Sequence, residues 1–410
     1  MSKGNIADES DFKASGYHWR LFCGSNVLEQ HLQSAVRREA AQRVLVVCSP
    51  SVRSKTDIID RIAVALGDAY AGVFDGIEKD STYASVRDAT TQARAAEADL
   101  LVAVGGGSVL VATRAVAIFL GEAADPFELM TQYPEGGRPF SPRLMAPKLP
   151  IINVPTTPTS AMNRAGTGLK NPALDHRMEY FDPKTRPHAI FIDDGALMSV
   201  PETLLRSTAT TVFSSLVSAQ AHLPGNPLVA ADQQQAFTLG HDAYVRLADA
   251  ADSPQVRRDL CLTAFLQNRA EDDGRPLMRS GPFAGDYAVS TALHIRYPEI
   301  GQGESTSVVH APALRLAGEV DALMARRVAS GLGVWEPGME SSGACDAVAA
   351  TLDELYARNG MPPNLRALEV PREDFPELAS LTLNNFNARA SRGSAESRES
   401  RTLQLLEAAW

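Results

Sequence analysis

From residue 43 onward, hydrophobic and polar positions fall into alternating blocks. The apolar run RVLVVCS is followed by a helix-spaced SKTDIIDRIAVALGD, a second run AYAGVFDG, a helical YASVRDATTQARAAEA and the apolar DLLVAVGGGS. Short apolar runs alternating with helical blocks predict βαβ units and a parallel, Rossmann-like sheet. LPIINVPTT and RPHAIFIDD add two further β-rich runs, so the sheet region is expected to end near residue 195. Beyond Val200 the β-branched runs thin out, and STATTVFSSLVSAQAH, DQQQAFTLGHDAYVRLADAA, SPQVRRDLCLTAFLQNRAE and the terminal SRTLQLLEAAW read as helices. The expected architecture is an α/β domain over 1–195 and an all-α domain over 196–410, with no internal repeat. The charged RASRGSAESRESR is expected to be a solvated helix face or loop.

Composition narrows the class without changing this outline. The chain has 410 residues, 44% of them hydrophobic, which suits an ordinary globular protein of about two domains. Its net charge of -10, with Lys and Arg dispersed, argues against nucleic acid as a partner. Four Cys with no CxxC give neither a zinc knuckle nor a disulfide framework, and reduced thiols in a cytoplasm are expected. The polar start MSKGNIADESDFKASGYHW lacks the basic and apolar regions of a signal peptide. The apolar stretch from Leu100 to Leu120 is broken by Gly105, Gly106, Gly107, Ser108 and Arg114, so no membrane span is expected.

Chemistry concentrates at two turns. Gly105, Gly106, Gly107 and Ser108 lie between an apolar strand and a helical pattern. Glycines there let a ligand approach the backbone, and a helix N-terminus offers N–H groups and a dipole to a phosphate. The plainer alternative is a tight strand-to-helix turn, and the motif is neither GxGxxG nor a GxxxxGK[ST] loop. INVPTTPTS ends a strand in hydroxyls at the edge where open α/β sheets bind ligands, although such hydroxyls commonly satisfy local backbone groups.

VGGGS, the PTT turn, FIDDGALMSVPETL and the terminal LLEAAW together resemble the iron-containing alcohol dehydrogenase family. The resemblance implies the dehydroquinate synthase-like fold, with a cleft between the α/β and helical domains for nicotinamide and substrate. It further implies cofactor contacts by Gly105, Gly106, Gly107, Ser108, Thr156 and Thr157, with NAD or NADP as cofactor. A homo-oligomer is expected.

The chain departs from the family's pattern at several positions. Val111 and Arg114 stand where the family has an aspartate and a lysine after GGGS. Ser49, with Arg53 and Lys55 nearby, stands where an aspartate often binds the adenosine ribose, which leaves NADP open. Arg177 replaces a lysine ahead of the Asp182-Pro183 pair, keeping the charge but not the shape. At the family's metal site an ungapped count puts Thr211 at the aspartate, Ser215 at the histidine and Ser218 at a nearby glutamate. Their i, i+4 spacing still aims Thr211 and Ser215 at one spot, but neutral hydroxyls are poor ligands for a divalent ion. His310 matches the last family histidine. His294 matches either the third ligand or the histidine after it, in which case Ser290 replaces the ligand. No resident metal is expected.

Hydride transfer without a metal requires another group to take the hydroxyl proton. His294 or His310 is the candidate base, Thr211 or Ser215 the candidate hydroxyl holder, and Arg164, Arg269, Arg279 or Arg296 a candidate clamp for a substrate carboxylate. Ordinary structural histidines and surface arginines are the alternative reading. This combination resembles the dehydrogenase-like oxidative decarboxylases of daptide-type ribosomal peptide pathways. That resemblance implies oxidation of the β-hydroxyl of a C-terminal threonine, loss of carbon dioxide from the resulting β-keto acid, and a leader-peptide recognition protein as partner. Two alternatives stand beside it: a maleylacetate reductase-like enzyme of a small dicarboxylate, and a non-catalytic cofactor- or peptide-binding pseudoenzyme.

Overall fold

The computed structural model describes the chain apart from residues 1–11, 13, 15, 135–138, 175, 276–282, 284, 285 and 384–394. Two compact units divide it, one formed by His18–Pro201 and the other by Met1–Tyr17 with Glu202–Trp410.

The α/β unit runs β1 (Arg20–Gly24), α1 (Val27–Arg38), β2 (Val44–Cys48), α2 (Pro50–Lys55), α3 (Ile58–Leu66), β3 (Tyr70–Phe74), α4 (Tyr83–Ala95), β4 (Leu100–Gly105), α5 (Gly107–Gly121) and α6 (Pro126–Leu129). It continues through β5 (Ile151–Pro155), β6 (Gly166–Leu169), β7 (Met178–Phe181), β8 (Ala189–Asp193) and α7 (Asp194–Met198). Six strands form one sheet in the order β1-β8-β5-β4-β2-β3, all neighbours parallel, while β6 and β7 make a separate antiparallel pair. The central strands β2, β4, β5 and β8 are buried along their whole length, which is why their runs are mainly apolar rather than alternating. The period of two still sorts them: Leu45, Val47, Leu101 and Ala103 pack into one core, and Val44, Val46, Cys48, Val102 and Val104 into another. Chain progression reverses between β2 and β4, since β2 leads outward to β3 and β4 leads the other way to β5. Open α/β sheets bind ligands beyond the carboxyl ends of strands at such a point.

The helical unit comprises α8 (Glu202–Ala221), α9 (Pro227–Leu247), α10 (Pro254–Asp272), α11 (Tyr287–Arg296), α12 (Gln302–Arg315), α13 (Ala322–Gly331), α14 (Ser341–Arg358), α15 (Phe375–Leu383) and α16 (Ala395–Ala408). Phe213, Leu216, Phe237, Tyr244, Val348 and Leu352 belong to its main core. Packing is tightest where α12 starts: a Cβ on Gly303 would lie 2.0 Å from the Ser207 carbonyl oxygen of α8. No helix among the described residues is long and apolar enough to cross a membrane.

Candidate active site

The carboxyl edge of β2, β4 and β5 gathers the motifs of the α/β unit. Cys48 pairs in register with Val104, and Gly105 with Pro155, so Ser49, the glycine turn and the Pro-Thr-Thr turn leave three adjacent strands side by side. Gly105 has φ +156, and a Cβ there would sit 2.7 Å from Val109. Gly106 is the N-cap of α5 and supplies no side-chain cap, leaving the first N–H groups of that helix to another acceptor. Cβ atoms on Gly106 and Gly107 would approach Thr157 Oγ1 to 3.2 Å and Thr159 Oγ1 to 3.0 Å. Side chains at either glycine would therefore fill the space between the two turns.

Among the described residues the buried hydroxyl of Thr157 has no hydrogen-bond partner, an arrangement that ordinarily costs about 1–3 kcal/mol. An orphaned buried donor-acceptor beside a helix N-terminus, over glycines with no side chain, fits the pyrophosphate of a dinucleotide. Thr156 is also buried, and its N–H donates to the Gly105 carbonyl, tying the two turns together. Ser108 anchors a third segment: its Oγ accepts from the Asp80 N–H and its carbonyl from the Ser81 hydroxyl. Asp80 and Ser81 both have left-handed backbones, φ +66 and +55, a conformation that non-glycine residues hold only when fixed from outside. Arg177 meets this strap through the Asp80 carbonyl at 3.3 Å and the Gly168 carbonyl at 3.4 Å. Arg177 thus reaches the glycine turn through Asp80. Ser49, half-buried at the N-cap of α2, contacts Ser51 Oγ at 3.1 Å, and Arg53 donates to Asp60 at 2.7 Å.

Arg114, on α5, is 1% exposed. Its Nη1 donates to the carbonyls of Ala161 and Arg164, and burial, with the guanidiniums of Arg164 and Arg186 nearby, pushes its pKa down to about 9. The FIDD segment serves the scaffold. Asp193 accepts from the Ala196 N–H at the start of α7 and from Arg61, and Ser25 donates to Asp194.

In the helical unit the expected catalytic residues separate. Thr211 is half-buried, its hydroxyl 3.3 Å from the Ser207 carbonyl, and Ser215 is exposed, whereas the adjacent Ser214 turns inward toward His310. His310 does not fit the role of base. Its ring is completely buried, with Nε2 3.0 Å from the Phe283 carbonyl and Nδ1 2.7 Å from Tyr356 OH. A carbonyl only accepts, so Nε2 carries the proton and Nδ1 accepts from the hydroxyls. Burial lowers the pKa to about 4, which keeps the ring neutral. His294 is half-buried near the end of α11, with Nδ1 2.8 Å from the Ile300 carbonyl. Ser290 lies buried among hydroxyls, 2.8 Å from Ser305 and 2.9 Å from Thr306.

The expected clamps are largely engaged. Arg269 pairs with Asp232, and Arg296 with Asp374 and Glu377, so neither offers an uncommitted charge to a substrate. Arg164 lies beside Arg114 in the α/β unit, and Arg279 falls outside the described residues. Among the described residues no group of three or more His, Cys, Asp or Glu side chains converges as a metal site would require. Sequence reasoning missed Asp80, Ser81 and Thr159. Thr159 belongs to the quoted PTTPT run, but the left-handed pair at Asp80-Ser81 carries no local signal.

The family model "Iron-containing alcohol dehydrogenase" matches residues 19–194. Maleylacetate reductase 2 of Cupriavidus pinatubonensis is 40% identical over 114 residues, covering 28% of this chain and 31% of that protein. Lactaldehyde reductase of Escherichia coli K12 is 23% identical over 364 residues, 86% of this chain and 89% of that one. Sulfoacetaldehyde reductase of Bifidobacterium kashiwanohense, solved in complex with NAD+, superposes with a TM-score of 0.75 at 18% identity over 97% of this chain and 98% of its own, a likeness of fold. The likeness in sequence to the iron-containing alcohol dehydrogenase family model thus lies in the α/β unit.

Proposed function

We propose that this protein is an NAD(P)-dependent oxidoreductase acting on a hydroxyl group or its carbonyl product, with the cofactor pyrophosphate at Gly105–Ser108. The observation that carries this reading is the buried, unpartnered Thr157 hydroxyl facing side-chain-free Gly106. The nicotinamide accepts or returns the hydride when bound. The α5 N-terminus and Thr157 hold the phosphates, Ser108 fixes the Asp80-Ser81 strap beside them, and the sequence resemblance makes His294 the candidate base for the hydroxyl proton. Gly106→Asp puts a carboxylate where the phosphate would sit, and calorimetry with NAD+, NADH, NADP+ and NADPH should show binding to the native protein and none to the variant. Equal affinity in both proteins would overturn the placement.

The altered donor set at Thr211 and Ser215 supports turnover without a resident metal. Activity is expected to survive chelation, with less than one metal per chain by elemental analysis; stoichiometric iron or zinc whose removal abolishes activity would defeat this. For substrate, the sequence resemblance favours a peptide ending in threonine, oxidised at its β-hydroxyl and then decarboxylated as the β-keto acid. The 40% identity to maleylacetate reductase 2 over 114 residues favours a second reading, reduction of a small keto dicarboxylate. Mass spectrometry of threonine-ended peptides with oxidised cofactor, run beside maleylacetate with reduced cofactor, separates the two.

A further inference from the structure

Five consecutive backbone carbonyls downstream of the Pro-Thr-Thr turn are held by side chains reaching in from elsewhere in the α/β unit. Ala161 accepts from Arg114 Nη1 (2.7 Å), Met162 from Asn153 Nδ2 (2.8 Å) and Asn163 from Arg186 Nη1 (3.0 Å). Arg164 accepts from Arg114 Nη1 (2.8 Å) and Ala165 from Thr185 Oγ1 (3.1 Å). A non-helical segment normally satisfies its carbonyls with water or its own turns. Here each is fixed from the scaffold, and Arg114 supplies two of the five bonds.

We infer that Arg114 is a positioning residue for the cofactor site, clamping segment 161–164 so that Thr157 and Thr159 stand against Gly106 and Gly107. The mechanical path is short. Thr159 Oγ1 accepts from the Ala161 N–H and the Thr159 carbonyl from the Met162 N–H, so the clamped residues carry Thr159 directly. Because Arg114 lies on α5, the helix whose N-terminus begins at Gly107, one rigid element sets both walls: its glycines form one side and its buried guanidinium holds the other. Thr167 adds a second tie, donating to the Val111 carbonyl of the same helix at 2.7 Å. A guanidinium spreads its donors in a rigid fork, whereas a lysine would bring a compact point charge on a flexible stem. The arginine at this position therefore sets the spacing of the two turns more firmly than a lysine can.

This inference rests on the cofactor placement proposed above, and the test separates the two. Cofactor affinity, the KM for cofactor, kcat, thermal stability and hydrogen exchange at the Ala161 and Met162 amides are measured for the native protein, Arg114→Met, Arg114→Lys and Thr185→Val. The last variant releases the Ala165 carbonyl while keeping side-chain shape, and carries the test if Arg114→Met does not fold. Expected are a cofactor Kd and KM raised about tenfold or more in Arg114→Met, less in Arg114→Lys, with little change in kcat, and faster exchange at both amides. Lower stability with unchanged cofactor affinity in Arg114→Met and Thr185→Val would make the contacts merely structural and overturn the inference. A native protein that binds no pyridine nucleotide would instead overturn the cofactor placement itself.

Discussion

At the scale of single residues, the histidines illustrate how position in sequence and chemical role come apart. His310 and His294 read alike as candidate bases in a linear motif, because nothing local distinguishes an imidazole facing solvent from one sealed in a core. Burial separates them. His310 is folded with a pKa of about 4, below its unfolded value of about 6.5, so between those values the unfolded chain binds the extra proton. Stability attached to this residue is therefore fully present above about pH 6.5 and is lost as pH falls toward 4, by up to about 3 kcal/mol. The expected result is a melting temperature that drops between pH 6.5 and 4 in the native protein and drops less in His310→Asn. Parallel pH profiles would return His310 to the set of solvent-accessible bases. His294→Ala is expected to lower kcat far more than cofactor affinity, as loss of a proton acceptor should.

At the scale of elements, the apolar runs at 44–48, 100–105, 151–155 and 189–193 were legible as strands because these central parallel strands are buried along their length, with no polar face to confuse the pattern. β1 was not legible. RLFCG is five residues at the sheet edge with a mixed burial pattern, and its strand character comes from pairing with β8, a partner about 170 residues away. The β6–β7 pair was equally hidden, since GTGL and MEYF are short, the first carries glycines, and only tertiary pairing resolves them. The glycine turn was legible as a strand-to-helix turn, whereas the Arg114 clamp depends on carbonyls 47 and 50 residues away. Helix packing gives a further prediction. A Cβ on Gly303 would lie 2.0 Å from the Ser207 oxygen, which no rotamer change relieves because both atoms are backbone-fixed. Gly303→Ala should cost about 1–3 kcal/mol by forcing α8 and α12 apart, measured by calorimetry. An unchanged melting temperature would show that this approach is looser than the structure has it.

At the scale of the whole molecule, every residue assigned to the pyrophosphate lies in His18–Pro201, and that unit closes its own cores on both faces of the sheet. Ligand that binds only the folded state adds stability by mass action, about 2.7 kcal/mol at a hundred times Kd. How far this raises the melting temperature depends on how many residues unfold together, because the unfolding entropy is about 2.1 cal/mol/K per residue. Residues 18 to 201 number 184, giving about 0.39 kcal/mol/K and a shift of about 7 °C if that unit melts alone. All 410 residues melting together would give about 0.86 kcal/mol/K and a shift of about 3 °C. Since the helical unit has its own main core, two calorimetric transitions are expected, with saturating cofactor moving one of them by about 7 °C and the other little. A single transition shifted by about 3 °C would show that the two cores unfold as one. A shift confined to the transition of the helical unit would remove the cofactor from the β2-β4-β5 edge altogether.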